Sequence, residues 1–315
     1  MTCFILSRLS QALLALFVIS ILTFALLAAV GGDALTALRG DPQISEEAIR
    51  RLSYVYNLDQ PLPLRYARWL FQLVSRGDFG QSFSYQTSVW SVLKPRLLAT
   101  TLLAAAALII ALLTSALLGS MSASRPNSLI DRLSGLLILL AASTPRIVLA
   151  LAMLALMASG MLQSSRGSFA WQLVLPALVL SVPLIAIFLA QTRDALKAAL
   201  ALDFVQVARA KGLRETTILW RHALPAALNP MITTFGYSLG SLMSGSVVVE
   251  SILNRPGLGQ LSVAAVRARD VPLLMGVVML TSTAVLAGNL LADLLLRLSD
   301  PRLRSLADSS SSSLV

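Results

Sequence analysis

The side chains of this protein that could do chemistry are few, and the stretch that says most about them is a polar one, Gln206 to Pro225, QVARAKGLRETTILWRHALP. This basic stretch lies between long apolar runs and is too short to be a domain of its own. Its residue types suit docking onto a partner rather than bond-making. His222 is the single histidine; it has no partnered acid nearby, and catalysis needs a base, a nucleophile and an orienting group together. Cys3 is the single cysteine, which excludes an intrachain disulfide and a thiolate metal cluster. A histidine-rich metal site is excluded for the same reason. No GxxxxGK[ST] phosphate loop occurs, so this chain is not expected to hydrolyse ATP. The reading is therefore no catalytic residues, no bound metal and no cofactor of its own. The remaining chemically unusual residue is Arg146, a cation inside an otherwise uncharged run.

The elements that must position these residues are apolar. Of the 315 residues, 56% are hydrophobic and 13% charged, a membrane composition rather than a soluble one. Uncharged runs cover Ala12–Val30, Leu97–Ser124, Gly167–Thr192, Ala223–Val249 and Val271–Ala292, and Leu133–Ser165 is broken only by Arg146. About 20 apolar residues make a spanning helix, and in lipid only helices or closed barrels satisfy the backbone. Six spanning helices in an all-α membrane protein are expected. Ala12–Val30 is read as a retained first span, since its apolar core exceeds that of a signal peptide and no clean cleavage site follows.

The net charge of +10 is explained by topology rather than by nucleic acid. With the N-terminus inside, the segments 1–11, 125–132, 193–222 and 297–315 carry twelve Lys and Arg residues, against four in the short outer loops (Arg166, Arg255, Arg267 and Arg269). Both termini are therefore expected in the cytoplasm. Residues 1–96 comprise the first span and a long external segment, in which Glu46–Tyr56, capped by Ser45, and Leu64–Val74 are expected short helices. Residues 97–297 hold five spans and the loop 193–225. Residues 298–315 form a cytoplasmic tail with a serine run, Ser309–Ser313, expected to be disordered. No internal repeat is visible.

Within the polar stretch, Asp203 is a candidate N-cap, and Phe204, Val207, Ala208 and Lys211 fall on one helical face. Gly212 suits a left-handed helix end. A second short helix from Arg214 carries Ile218, Leu219 and His222 on one side, and Pro225 starts the next span. An ordinary amphipathic interfacial loop would share these features; a DNA-reading helix-turn-helix is excluded by the flanking spans. The spacing of Gln206-Val207-Ala208, Gly212, His222 and Leu224-Pro225 resembles the signature loop of binding-protein-dependent ABC permeases. It departs at Gln206 (an acid in the family), Val207 (alanine) and His222 (isoleucine). ARAKGL, RHALPAALNP, LDQPLPLRYARWL, GDFGQSF, VVVESILNRPGLGQL and NLLADLLLRLSDPRLR resemble the dipeptide, oligopeptide and nickel permease branch, so the likeness covers nearly all of residues 1–304.

The resemblance implies a type I ABC importer permease fold in the inner membrane. It also implies a second, similar permease subunit, two ATPase subunits that use ATP, and an external substrate-binding protein. By position, Gln206, Ala208, Gly212, His222, Leu224 and Pro225 fall to the ATPase-coupling loop, and Pro256, Gly257 and Gly259 to a loop at the external mouth. Arg146 departs from the aromatic residue common in the family. It reads either as a cation on the translocation path or as half of a structural pair with Glu250 or a companion subunit. On a straight helix it would lie roughly 20 Å into the membrane. Pro176, Pro183, Pro225 and Pro230 are candidate kinks. Asn289 and Asp293 share a helix face that suits packing. Small peptides are the first choice of cargo, and nickel, a metal chelate or another small solute the alternative; one His and one Cys argue against ligation of a bare soft metal. A stand-alone channel or secondary transporter would show inverted repeats or broken helices with membrane carboxylates. A non-transporting scaffold would use the polar stretch only as a tether.

Overall fold

The computed structural model describes residues 2–29, 35, 45–55, 58–159 and 169–299. The serine tail and Arg166 lie outside them. The described secondary structure is helical, with one isolated bridge between Gln81 and Ser88. The helices are α1 (Thr2–Ala29), α2 (Glu46–Val55), α3 (Leu62–Arg76), α4 (Val89–Ser124), α5 (Leu129–Ser143), α6 (Arg146–Ala158) and α7 (Phe169–Leu200). There follow α8 (Asp203–Ala210), α9 (Glu215–Ile218), α10 (Leu224–Ile252), α11 (Leu258–Arg267) and α12 (Val271–Ser299).

Four of these helices are long and apolar enough to cross a membrane: Ile5–Ala29 in α1, α4, Gln172–Leu200 in α7, and Val271–Arg297 in α12. The pair α5 and α6 makes a fifth if taken as one span. The sixth expected run, Ala223–Val249, falls in α10, a 29-residue helix.

The third expected span needs correction. Leu133–Ser165 is not one straight helix: α5 and α6 meet at a 97° bend. Pro145 explains the break. A proline drives the residue before it out of the α region, and Thr144 is extended at φ −91°, ψ 116°. Thr144 then closes α5 by donating from its hydroxyl to the Leu140 carbonyl at 2.7 Å. Arg146 is thus the first residue of a new helix, and its depth cannot be counted along a straight one. By contrast, α7 continues through Pro176 and Pro183, and α4 through Pro95.

The chain divides into two compact units. The first holds residues 1–101 and 254–286. Val89 and Leu93 of α4, Leu258, Leu261 and Ala265 of α11, and Leu273 and Val277 of α12 form its core. Ser45 caps α2 as expected, accepting from the Ala48 N–H at 3.2 Å. On α3, Tyr66 meets the Ser20 hydroxyl at 2.8 Å and packs against Phe24, with Trp69 beside it. Asp270 is fully buried; it accepts from the Ser82 hydroxyl at 2.6 Å, the Ser84 N–H at 3.0 Å and the Leu273 N–H at 3.2 Å. The GDFGQSF segment is thereby tied to the start of α12.

The second unit holds residues 102–253 and 287–315. Its core joins Leu103, Ala107 and Ala111 of α4, Ala150 of α6, Leu180, Leu184 and Phe188 of α7, and Leu242 and Val249 of α10. Small residues set the closest approaches. A Cβ added at Gly236 would meet Ala292 at 2.5 Å, so only glycine lets α10 sit that close to α12. This unit carries the polar stretch.

Candidate functional site

The polar stretch folds as helix, glycine turn, helix. Alpha-8 buries Val205 and Ala208, three residues apart, against Ile218 of α9 and Leu200 of α7. Its N-cap is Leu202, without a side-chain cap bond. Asp203 is therefore not the cap expected of it; it is the first helical residue, where a negative charge suits the helix dipole. At the other end Gly212 has φ +75°. The Leu213 N–H reaches the Ala208 carbonyl at 3.3 Å and the Gly212 N–H reaches that of Arg209 at 2.9 Å. This is the paired closure of a Schellman end, which needs a left-handed residue.

A carboxylate–guanidinium clasp spans the turn. Arg209 donates from Nε to Glu215 Oε1 at 2.7 Å and from Nη2 to Oε2 at 3.2 Å. The bidentate geometry fixes orientation as well as distance. The bond from Arg209 holds the Glu215 carboxyl below its ordinary range and pushes the Arg209 guanidinium up.

Alpha-9 does not stop before the next span. Leu219–Ala223 form a π turn in which the Leu224 N–H bonds to the Leu219 carbonyl, and α10 follows without interruption. Pro225 stands in the first turn of α10, where the sequence reading put the start of the next span, and the helical path reaches it through the π turn. Ala123 of α4, Leu196 and Ala199 of α7, and Leu219, Ala223 and Ala227 pack together beneath the element.

With its inner side filled, the element leaves large apolar side chains outside. Phe204 is 45% exposed, Val207 54%, Leu213 41% and Trp220 55%. Lys211, Arg214 and Arg221 are exposed beside them. Large exposed apolar side chains together with cations make this side a candidate interaction surface. Of the four residues placed on one face from the sequence, Phe204, Val207 and Lys211 are on this exposed side and Ala208 is buried.

Residues 115–305 match the family described as the binding-protein-dependent transport system inner membrane component, and residues 1–104 its N-terminal membrane component. The chain belongs to this family. It is 34% identical to the oligopeptide transport system permease protein AppB of Bacillus subtilis (strain 168), over 96% of this chain and 99% of that protein. It is 32% identical to the dipeptide transport system permease protein DppB of Lactococcus lactis subsp. cremoris (strain MG1363), with the same coverage. A putative peptide transport system permease protein of Brucella abortus (strain 2308) is likewise 32% identical over 96% of this chain and 99% of its own length.

In this permease-family chain the motif residues occupy different environments. Gln206, which stands where the family has an acid, is exposed on α8, while Ala208 is buried. His222 and Leu224 are half-buried and Pro225 is exposed. A cavity of about 440 Å³ behind the element is lined by Lys197, Leu200, Gln206, Arg209, Glu215 and Leu219, among others. Among the described residues, no group of three or more His, Cys, Asp or Glu side chains could hold a metal ion.

The other predicted residues lie elsewhere. Arg146 donates to the Ser241 hydroxyl of α10 and its guanidinium lies on Gly245, where an added Cβ would come 2.8 Å from Nη1. Pro256 is exposed, Gly257 is the extended N-cap of α11, and Gly259 is buried in its first turn. That loop is held by the Leu258 N–H on Thr100 Oγ1 at 2.8 Å, and by Gln260, which accepts from Arg96 at 3.0 Å and donates to Asn254 at 2.7 Å.

Sequence reasoning missed one cluster altogether. Asp131, on the first turn of α5, is buried and accepts from Ser122 Oγ at 2.6 Å, Arg193 Nε at 2.7 Å and Lys197 Nζ at 3.1 Å. Two signals were available: Ser128 three residues ahead as an N-cap, and Arg193 and Lys197 one turn apart at the end of an apolar run. Neither says that the three helices meet.

Proposed function

We propose that this chain is the permease subunit of an ATP-driven peptide importer, forming half of a pore with a second permease. The observation that carries this reading is the helix–glycine–helix element: its inner side is packed, its turn is closed by Gly212 and clasped by Arg209 and Glu215, and its outer side offers exposed apolar residues. Such a body transmits a rigid movement where a loose loop would absorb it. We take Phe204, Val207, Leu213 and Trp220 as the contact with an ATPase subunit, with Gln206, Ala208, Gly212, His222, Leu224 and Pro225 holding the shape behind it. ATP is hydrolysed by that partner, not by this chain.

In this proposal α10 is the sixth span, both termini lie in the cytoplasm, and the Pro256–Gly259 loop faces the external binding protein. Peptide cargo is supported by the permeases of similar length and sequence, which are described as oligopeptide and dipeptide transport proteins. Arg146, seated on α10, is the candidate cation of the translocation path. The decisive experiment is purification from native membranes after mild solubilisation. An importer subunit comes out with an ATPase and a second permease; a chain that comes out alone and conducts solute by itself overturns the reading.

A further inference from the structure

The Asp131 cluster is not explained by docking alone. Four pieces of the second unit converge on one buried carboxylate. Ser122 comes from α4, and the Asn127 N–H, 3.1 Å from Oδ2, from the connector after it. Asp131 itself opens α5, and Arg193 and Lys197 come from the last turns of α7. The Asp131 side chain is 8% exposed, whereas those of Arg193 and Lys197 are 25% and 32% exposed. A buried carboxylate held by two cations and a hydroxyl resists separation, because pulling one partner away leaves charge uncompensated in a poorly solvated place.

Its position is what gives the cluster a role. Lys197 also lines the cavity behind the docking element. Three residues beyond it, Leu200 packs against Val205, Ala208 and Ile218 of that element. On the other side, α5 leads to the 97° bend, and α6 beyond the bend seats Arg146 on α10.

We infer that Asp131 is a positioning residue for coupling: it carries movement of the docking element, through Lys197 and Arg193, into the bent α5–α6 pair. Without it, α7 would move past α5 and the stroke would be lost in the connector 125–128. The inference rests on the reading of the element as the ATPase contact.

The test uses the assembled transporter, with both permeases, the ATPase subunits and the binding protein, reconstituted in proteoliposomes with radiolabelled tri-alanine as the probe. Uptake and ATP hydrolysis are measured together. In Asp131→Asn, uptake per ATP falls about tenfold while ATP hydrolysis and subunit composition stay at wild-type levels. Asp131→Glu, which can still reach both cations, recovers at least half of the ratio. Lys197→Gln, a half-exposed change that spares the fold, lowers the ratio about threefold. A wild-type ratio in Asp131→Asn or in Lys197→Gln overturns the inference. So does a parallel fall of uptake, hydrolysis and assembly in both, which marks a purely structural role. Phe204→Asp tests the underlying reading separately: if the ATPase still co-purifies in full, the docking surface is wrong, whatever the Asp131 variants do.

Discussion

Asp131 and Asp270 are both buried, both sit at the start of a helix, and both accept a serine hydroxyl at 2.6 Å. Their other partners differ. Asp131 accepts one backbone N–H, from Asn127, but is met chiefly by two long cationic side chains from a helix more than 60 residues away in sequence. Asp270 is met by backbone N–H groups, one of them its own helix's cap bond to Leu273. Long ionic side chains can follow a moving helix while keeping contact; backbone donors cannot. The first arrangement suits a joint between elements that shift, and the second a fixed corner.

The comparison can be broken by substitution. The largest effect is expected for Asp131→Ala, which strands two cations and should cost about 3 kcal/mol, the low end for a buried pair because the cations are partly hydrated. Thermal unfolding of the solubilised protein measures it. Asp270→Ala removes a cap and leaves buried donors unpaired, for about 2 kcal/mol. The glutamate variants sharpen the contrast. Asp131→Glu should lose under about 1 kcal/mol, since flexible cations re-pair, whereas Asp270→Glu misplaces the cap and should lose about as much as the alanine variant.

Next comes Gly212→Val. A β-branched side chain at φ +75° costs roughly 1–2 kcal/mol locally. The protein should still insert, but uptake should be lost with ATP hydrolysis retained; wild-type uptake in this variant would falsify the rigid-element proposal.

The smallest effect concerns pH. The folded Glu215 carboxyl lies below its ordinary value of 4.5 because Arg209 hydrogen-bonds to it. The clasp therefore contributes in full above that value and is lost as pH falls through the lowered one. Both partners are substantially exposed, so the effect is local. The protection of the Lys211 to Leu213 amides, taken relative to their intrinsic exchange rates, should fall as the solution is acidified in wild type, and should show no such step in Glu215→Gln.

Much of the helix–glycine–helix element was legible because its determinants are local. Gly212 announces a left-handed end, and the apolar spacing around it announces two short helices. Which side of α8 is buried was not legible, since Phe204, Val205, Val207 and Ala208 offer two apolar faces and only the position of Ile218 selects Val205 and Ala208. The π turn was hidden as well, because its residues Leu219 and Ala223 pack on Ala123, Leu196 and Ala199, which are distant in the chain.

The prolines make the same point within the spans. Pro145, Pro176 and Pro183 all lie in long apolar runs, but Pro145 alone is flanked by polar residues, Thr144 and Arg146. It ends a helix with a 97° bend; the other two are carried inside α7. The sequence by itself determined the membrane class, the apolar runs, the polar stretch and its glycine turn, because hydrophobicity and backbone preference act over a few residues. Tertiary structure alone decided how sharply α5 and α6 bend, what Arg146 rests on, and that Ser122, Asp131, Arg193 and Lys197 share one site. Those outcomes depend on contacts between residues far apart in the chain, whose energies no local pattern records.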